Sequence, residues 1–224
     1  MLTEARRLTG LPVVTEVLDV RQVDMVAQHA DVLQIGARNM YDTPLLAAAG
    51  ETGLPVLLKR SFSATLKELM GAAEYIAISG NTQIIFCERG IRTFETAPRH
   101  TLDIGAIRVL HRETYLPVIV DPSHAAGRAE LVGPLAMASL AAGADGLLVE
   151  VHPSPSTALS DGEQSLSLDA FSSLMNTLMR LDVAMHHEED ASGGREAIPL
   201  DRAQVALHRR SAPRTWGALA VHEG

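Results

Sequence analysis

Three stretches of this chain open on the same three residues: LPVVTEVLD from Leu11, LPVLLKRSF from Leu54 and LPVIVDPSH from Leu116. Each is an apolar run that closes on charged side chains. Three more short apolar runs lie among them: DVLQIGAR from Asp31, TQIIFCERG from Thr82 and ADGLLVEVH from Ala144. Short unbroken apolar runs bounded by turn residues predict strands covered on both faces, the mark of a parallel sheet. Helical patterns separate them, at residues 20–30, 43–52, 64–80, more weakly 102–113, and 128–144, with a last helix predicted over 167–185. The strand starts lie roughly 20 to 35 residues apart, the size of a βα unit. Six such units without a glycine-rich GxGxxG turn favour a (β/α) barrel over a dinucleotide-binding sheet.

The 224 residues, 46% of them hydrophobic, suffice for one sizeable core. The repeat ends before His186, and residues 186–224 turn polar with scattered Gly and Pro. The predicted division is therefore a barrel-type domain over 1–185 and a loosely ordered tail over 186–224, with at most a short helix near 200–209. A net charge of −8 speaks against nucleic acid as a partner. No apolar run is long enough for a membrane span, and the N-terminus has no signal-peptide core, so a cytoplasmic protein is expected. The single cysteine, Cys87, excludes an internal disulfide.

In a barrel, chemistry belongs to the C-terminal ends of the strands. Those ends carry Glu16 and Asp19, Arg38, Lys59 and Arg60, Glu88 and Arg89, Asp121 and His124, and Glu150 and His152. A single charge just past a strand is ordinarily a solvated group, and a lone histidine ordinarily a hydrogen-bonded loop residue. Six charged ends together point to a site. Arg38, Lys59 and Arg89 suit a phosphate and a carboxylate, because cations of this kind make paired hydrogen bonds to oxyanions. His124, Glu150 and the downstream Asp161 offer an imidazole nitrogen and carboxylate oxygens, a donor set suited to Mn²⁺, Fe²⁺ or Zn²⁺.

The segments QIGARNM (34–40), LLKRSFSAT (57–65), CERGIRTFET (87–96), VDPSHAAGR (120–128) and VEVHPSPSTALSDGEQSL (149–166) closely resemble 3-deoxy-7-phosphoheptulonate (DAHP) synthase of the type Iβ subclass. The likeness covers about residues 2–182. It implies a (β/α)8 TIM barrel, of which the six units here correspond to strands three through eight. It also implies a metal-dependent condensation of phosphoenolpyruvate with erythrose 4-phosphate, the entry to the shikimate pathway and aromatic amino-acid synthesis. By this resemblance Arg38, Lys59 and Arg89 bind phosphoenolpyruvate. His124, Glu150 and Asp161 hold a divalent ion (Mn²⁺, Fe²⁺, Zn²⁺ or Co²⁺), Lys59 and His124 are catalytic, and Asp121 and Glu16 orient the groups in front of them. Two alternatives stand beside it: condensation with arabinose 5-phosphate, as in 3-deoxy-8-phosphooctulonate synthase, and an inactive binding or regulatory subunit.

The resemblance also marks departures. The family's GPCS-type and KPRTSP-type motifs have no counterpart here, and His100 stands where many relatives carry asparagine. An arc of six strands is expected to leave bare edges at 12–18 and 145–151, which invites a homo-oligomer or a partner that completes the barrel.

Overall fold

The computed structural model describes residues 1–191 and 220–222. All six apolar runs form strands: β1 Val13–Glu16, β2 Val32–Ile35, β3 Val56–Lys59, β4 Ile84–Glu88, β5 Val118–Val120 and β6 Gly146–Leu147. Each pairs in parallel with its sequence neighbour. The short β7, Ala220–His222, lies parallel to β1 on its outer side, giving the order β6-β5-β4-β3-β2-β1-β7. The edge at 12–18 is therefore not bare: Val13, Val14 and Thr15 stand opposite Ala220, Val221 and His222. A run of three residues is too short to announce a strand, so this pairing was not legible beforehand. The expected helix near 200–209 falls outside the described residues.

The helices are α1 Leu2–Thr9, α2 Val23–Ala27, α3 Thr43–Glu51, α4 Leu66–Ile78, α5 Ile104–Glu113, α6 Pro122–Ala126, α7 Ala129–Ala141 and α8 Leu168–Ala191. Local chemistry sets where they start. Asp42 and Asp103 accept the free backbone N–H groups at the starts of α3 and α5. At α4, the Thr65 hydroxyl accepts from the Glu68 N–H while the Glu68 carboxylate accepts from the Thr65 N–H, a reciprocal cap.

Strand side chains alternate between two apolar layers, and the alternation decides the architecture. Leu33, Ile35, Val56, Leu58, Ile84, Phe86, Val118 and Val120 pack with Leu45, Leu46, Leu69, Ile76, Ile107 and Leu110 of α3, α4 and α5. The intervening residues Val14, Leu57, Cys87 and Ile119 form a separate small cluster with Leu148. The main core thus joins these helices to one face of the sheet, as in a wound (β/α) arc, whereas a doubly wound sheet shares its helices between both. A third cluster, with Leu140, Leu174 and Leu178, closes α7 against α8. Because all six strands run the same way, their charged ends meet along one rim. No helix among the described residues is long and apolar enough to cross a membrane.

Candidate functional site

The candidate site is built around the junction of β5 and α6, the sequence Asp121-Pro122-Ser123-His124. Each residue has a physical task. Asp121 caps α6, accepting the His124 N–H through Oδ1 at 2.9 Å. Pro122 is the first helical residue, where a missing N–H costs nothing. The Ser123 hydroxyl accepts the Glu150 N–H at 3.0 Å, tying the end of β6 to α6. His124 Nδ1 lies 2.7 Å from Asp121 Oδ2, and Lys59 Nζ reaches the same oxygen at 2.9 Å. Burial pushes the Asp121 carboxyl up, but the charge of Lys59 and the charge and hydrogen bonds of His124 outweigh it and hold the group well below the usual carboxylate range.

The ionised Asp121 holds Nδ1 of His124, which aims Nε2 away from it, toward Glu150. Glu150 Oε1 lies 3.2 Å from that Nε2. Asp161 completes the group: one donor atom each from His124, Glu150 and Asp161 lie within 4.8 Å of one another. Asp161 sits on the loop after β6 with φ 53, a left-handed conformation that aspartate tolerates better than most residues. The structure thus brings all three expected metal-ligating residues together.

The three expected anion-binding cations differ in setting. Lys59 and Arg89, at the ends of β3 and β4, are buried, whereas Arg38 is exposed on the turn Ala37–Asn39 after β2. Burial lowers the affinity of Arg89 for its proton, offset in part by the Asp121 charge. Its Nε and Nη1 are buried without a hydrogen-bond partner. Two orphaned guanidinium donors at a strand end suit an oxyanion. Glu16 packs against Gly36, where its carboxylate occupies the space a Cβ would need. His152 makes a local turn, its Nδ1 accepting from the Ser154 N–H at 3.0 Å. Cys87 faces the inner apolar cluster, fully buried.

Other contacts at the rim join residues that the sequence could name but not connect. Arg60 Nη1 bridges Glu88 at 2.7 Å and Asp103 at 2.9 Å, and Glu88 Oε1 accepts the Gly90 N–H at 2.6 Å, so this buried network shapes the turn that carries Arg89. The loop after β4 is stitched to α6 by Arg99 N–H to Ala126 O and His100 N–H to Ala125 O, 3.1 and 2.9 Å. His100 stacks on Phe62 with ring centroids 5.7 Å apart. Burial, then the positive charges of Arg89 and Arg99, push its imidazole down to about 4. Arg60, Glu88 and Ser123 lie inside segments already singled out, whereas Arg99 and Asp103 carried no local signal.

Comparison with known proteins bears on the family and the fold. A family model described as the DAHP synthetase I family matches residues 1–187. A Thermotoga maritima protein named phospho-2-dehydro-3-deoxyheptonate aldolase is 52% identical over 184 residues. That match covers 82% of this chain and 54% of the relative, so the chain spans about half the length of this curated protein. The solved structure of a truncated form of 3-deoxy-D-arabino-heptulosonate 7-phosphate synthase from the same organism, 52% identical, superposes with a TM-score of 0.81, covering 82% of this chain and 70% of that one. A 2-dehydro-3-deoxyphosphooctonate aldolase from Syntrophotalea carbinolica is 35% identical over 193 residues, covering 81% of this chain and 69% of the relative.

Proposed function

The chain belongs to the DAHP synthetase I family, and we propose that it binds phosphoenolpyruvate and a divalent cation for condensation with erythrose 4-phosphate. The gathering of His124, Glu150 and Asp161 carries this reading. A lone pair on His124 Nε2 facing a carboxylate oxygen is repulsive until a proton or a cation lies between them, so the donor set fits a cation. When bound, the cation supplies Lewis acidity for the aldehyde carbonyl.

The chain's own residues do the rest. Arg89 offers its two buried N–H groups to an oxyanion of phosphoenolpyruvate, and Arg38 reaches the same ligand from the exposed side. Lys59, fixed by Asp121, sets the charge between the two groups of residues. Asp121 holds Nδ1 of His124 and so directs Nε2 toward Glu150. In the reaction, carbon 3 of phosphoenolpyruvate bonds to the aldehyde carbon, water adds at carbon 2, and inorganic phosphate leaves. A cytoplasmic location goes with such chemistry, and so does assembly into an oligomer or with a polypeptide that extends the barrel.

Phosphate release from phosphoenolpyruvate with Mn²⁺ and either erythrose 4-phosphate or arabinose 5-phosphate tests the reading. Release with erythrose 4-phosphate is expected, since the relative named for the heptonate product is 52% identical and that named for the octonate product 35%. Release only with arabinose 5-phosphate would overturn the choice of sugar. Binding of phosphoenolpyruvate and Mn²⁺ without turnover would assign a binding subunit instead.

A further inference from the structure

Asp161 is the least supported member of the cation group by its own backbone. It lies on the loop between β6 and α8, and its side chain is 26% exposed. Its carbonyl is well held, accepting the Ser165 N–H at 3.1 Å and the Ser165 hydroxyl at 3.0 Å. Those bonds fix the turn and leave the direction of the carboxylate to another element.

That element is the loop after β4. Arg99 Nη1 donates to Asp161 Oδ1 at 3.0 Å and to Gln164 Oε1 at 2.9 Å. Gln164 is itself buried. The root of Arg99 is fixed as firmly as its tip, because its N–H bonds to Ala126 O at the end of α6 and its Cβ lies where a side chain at Gly127 would stand. Gly127, at φ 68, ends α6 in the left-handed conformation, so glycine serves both the helix end and the passage of Arg99. One side chain therefore connects the helix bearing His124 to the loop bearing Asp161, across 62 positions of sequence.

We propose that Arg99 is a positioning residue for the cation site: bridging Asp161 and Gln164 from the end of α6, it aims the Asp161 carboxylate toward His124 and Glu150. This rests on the reading that these three residues hold a divalent cation. A guanidinium also adds positive charge beside the cation, but Arg99 is 46% exposed and water screens much of that repulsion. Orientation outweighs it. Groups that hold a metal's ligands in place are commonly worth ~10- to 100-fold in metal affinity.

The test uses the whole chain, freed of metal, with Mn²⁺ titrated against a chromophoric chelator, and hydrogen exchange of residues 155–166 measured without metal. Arg99→Met is expected to weaken Mn²⁺ binding about tenfold and to speed exchange in that segment, with Arg99→Lys recovering part of both. His124→Ala is expected to abolish binding. If His124→Ala abolishes binding while Arg99→Met binds Mn²⁺ as tightly as the parent or tighter, the positioning role is wrong and the cation site stands. If His124→Ala binds Mn²⁺ undiminished, the cation site is wrong. The exchange measurement then decides the bridge by itself, and unchanged exchange in Arg99→Met rejects it. Circular dichroism of Arg99→Lys guards against misfolding of the methionine variant.

Discussion

The two sides of the cation group are built by opposite means. On the β5–α6 side, Asp121 is fully buried and His124 nearly so, and the bonds that orient the imidazole span three residues. On the β6 side, Glu150 and Asp161 are 21% and 26% exposed, and their supports come from 27 and 62 positions away. One side is made by a helix cap and is formed as soon as α6 forms. The other exists only once distant loops have docked. The contrast suggests a rigid nitrogen donor waiting for oxygen donors that settle around it.

The comparison fails first, if it is wrong, at Asp121. Asp121→Ala removes the cap, the partner of buried Lys59 and the orienting group of His124 together. It is expected to cost about 3–5 kcal/mol in urea denaturation, since breaking a buried ion pair strands the remaining charge. A loss below about 1 kcal/mol would mean the β5–α6 side is no more rigid than the other. A native pH dependence follows with it. Because the Asp121 carboxyl is held below its ordinary range, its contribution is complete above about pH 4 and fades as pH falls further.

Ser123→Ala sharpens the comparison at the seam between the sides. The Glu150 N–H loses its acceptor, with an expected cost of about 1–2 kcal/mol. Mn²⁺ affinity should drop while the His124 ring keeps its bond to Asp121, visible as unchanged imidazole proton shifts by NMR. Altered imidazole shifts would show that the two sides do not behave separately.

The smallest effect concerns the loop that ties the sides together. His100 is pushed down to about 4 in the folded chain, so between about pH 6.5 and 4 the unfolded chain takes up a proton that the folded chain refuses. Stability is lost as pH falls through that window. His100→Asn, which cannot titrate, should flatten the fall of Tm there; an unaltered slope would place the responsible group elsewhere.

How far the fold could be read beforehand follows the same division. The six strands were legible because each is an apolar run cut off by charge, and Asp121 and His124 because they stand at such a strand end, although the helix that Asp121 caps was not foreseen. The five-residue α6 was hidden inside that motif, too short to show periodicity. Helix α1 buries no side chain, so no apolar pattern betrayed it. The bridge from Arg99 to Asp161 and the Arg60–Glu88–Asp103 network join residues from separate loops and strands, and no spacing rule reaches that far. His124, Glu150 and Asp161 were found by chemistry at strand ends; what steers them was not.

The lone thiol offers a use of its own. Cys87 is fully buried among Val14, Leu57 and Ile119 on the sheet face away from the main helix core, and burial first, then the Asp121 charge, push its ionisation far up. An alkylating reagent can react only after that inner face parts. Timed labelling at this single atom is thus a clock for the opening of the strand layer, with no second sulfhydryl to blur the reading.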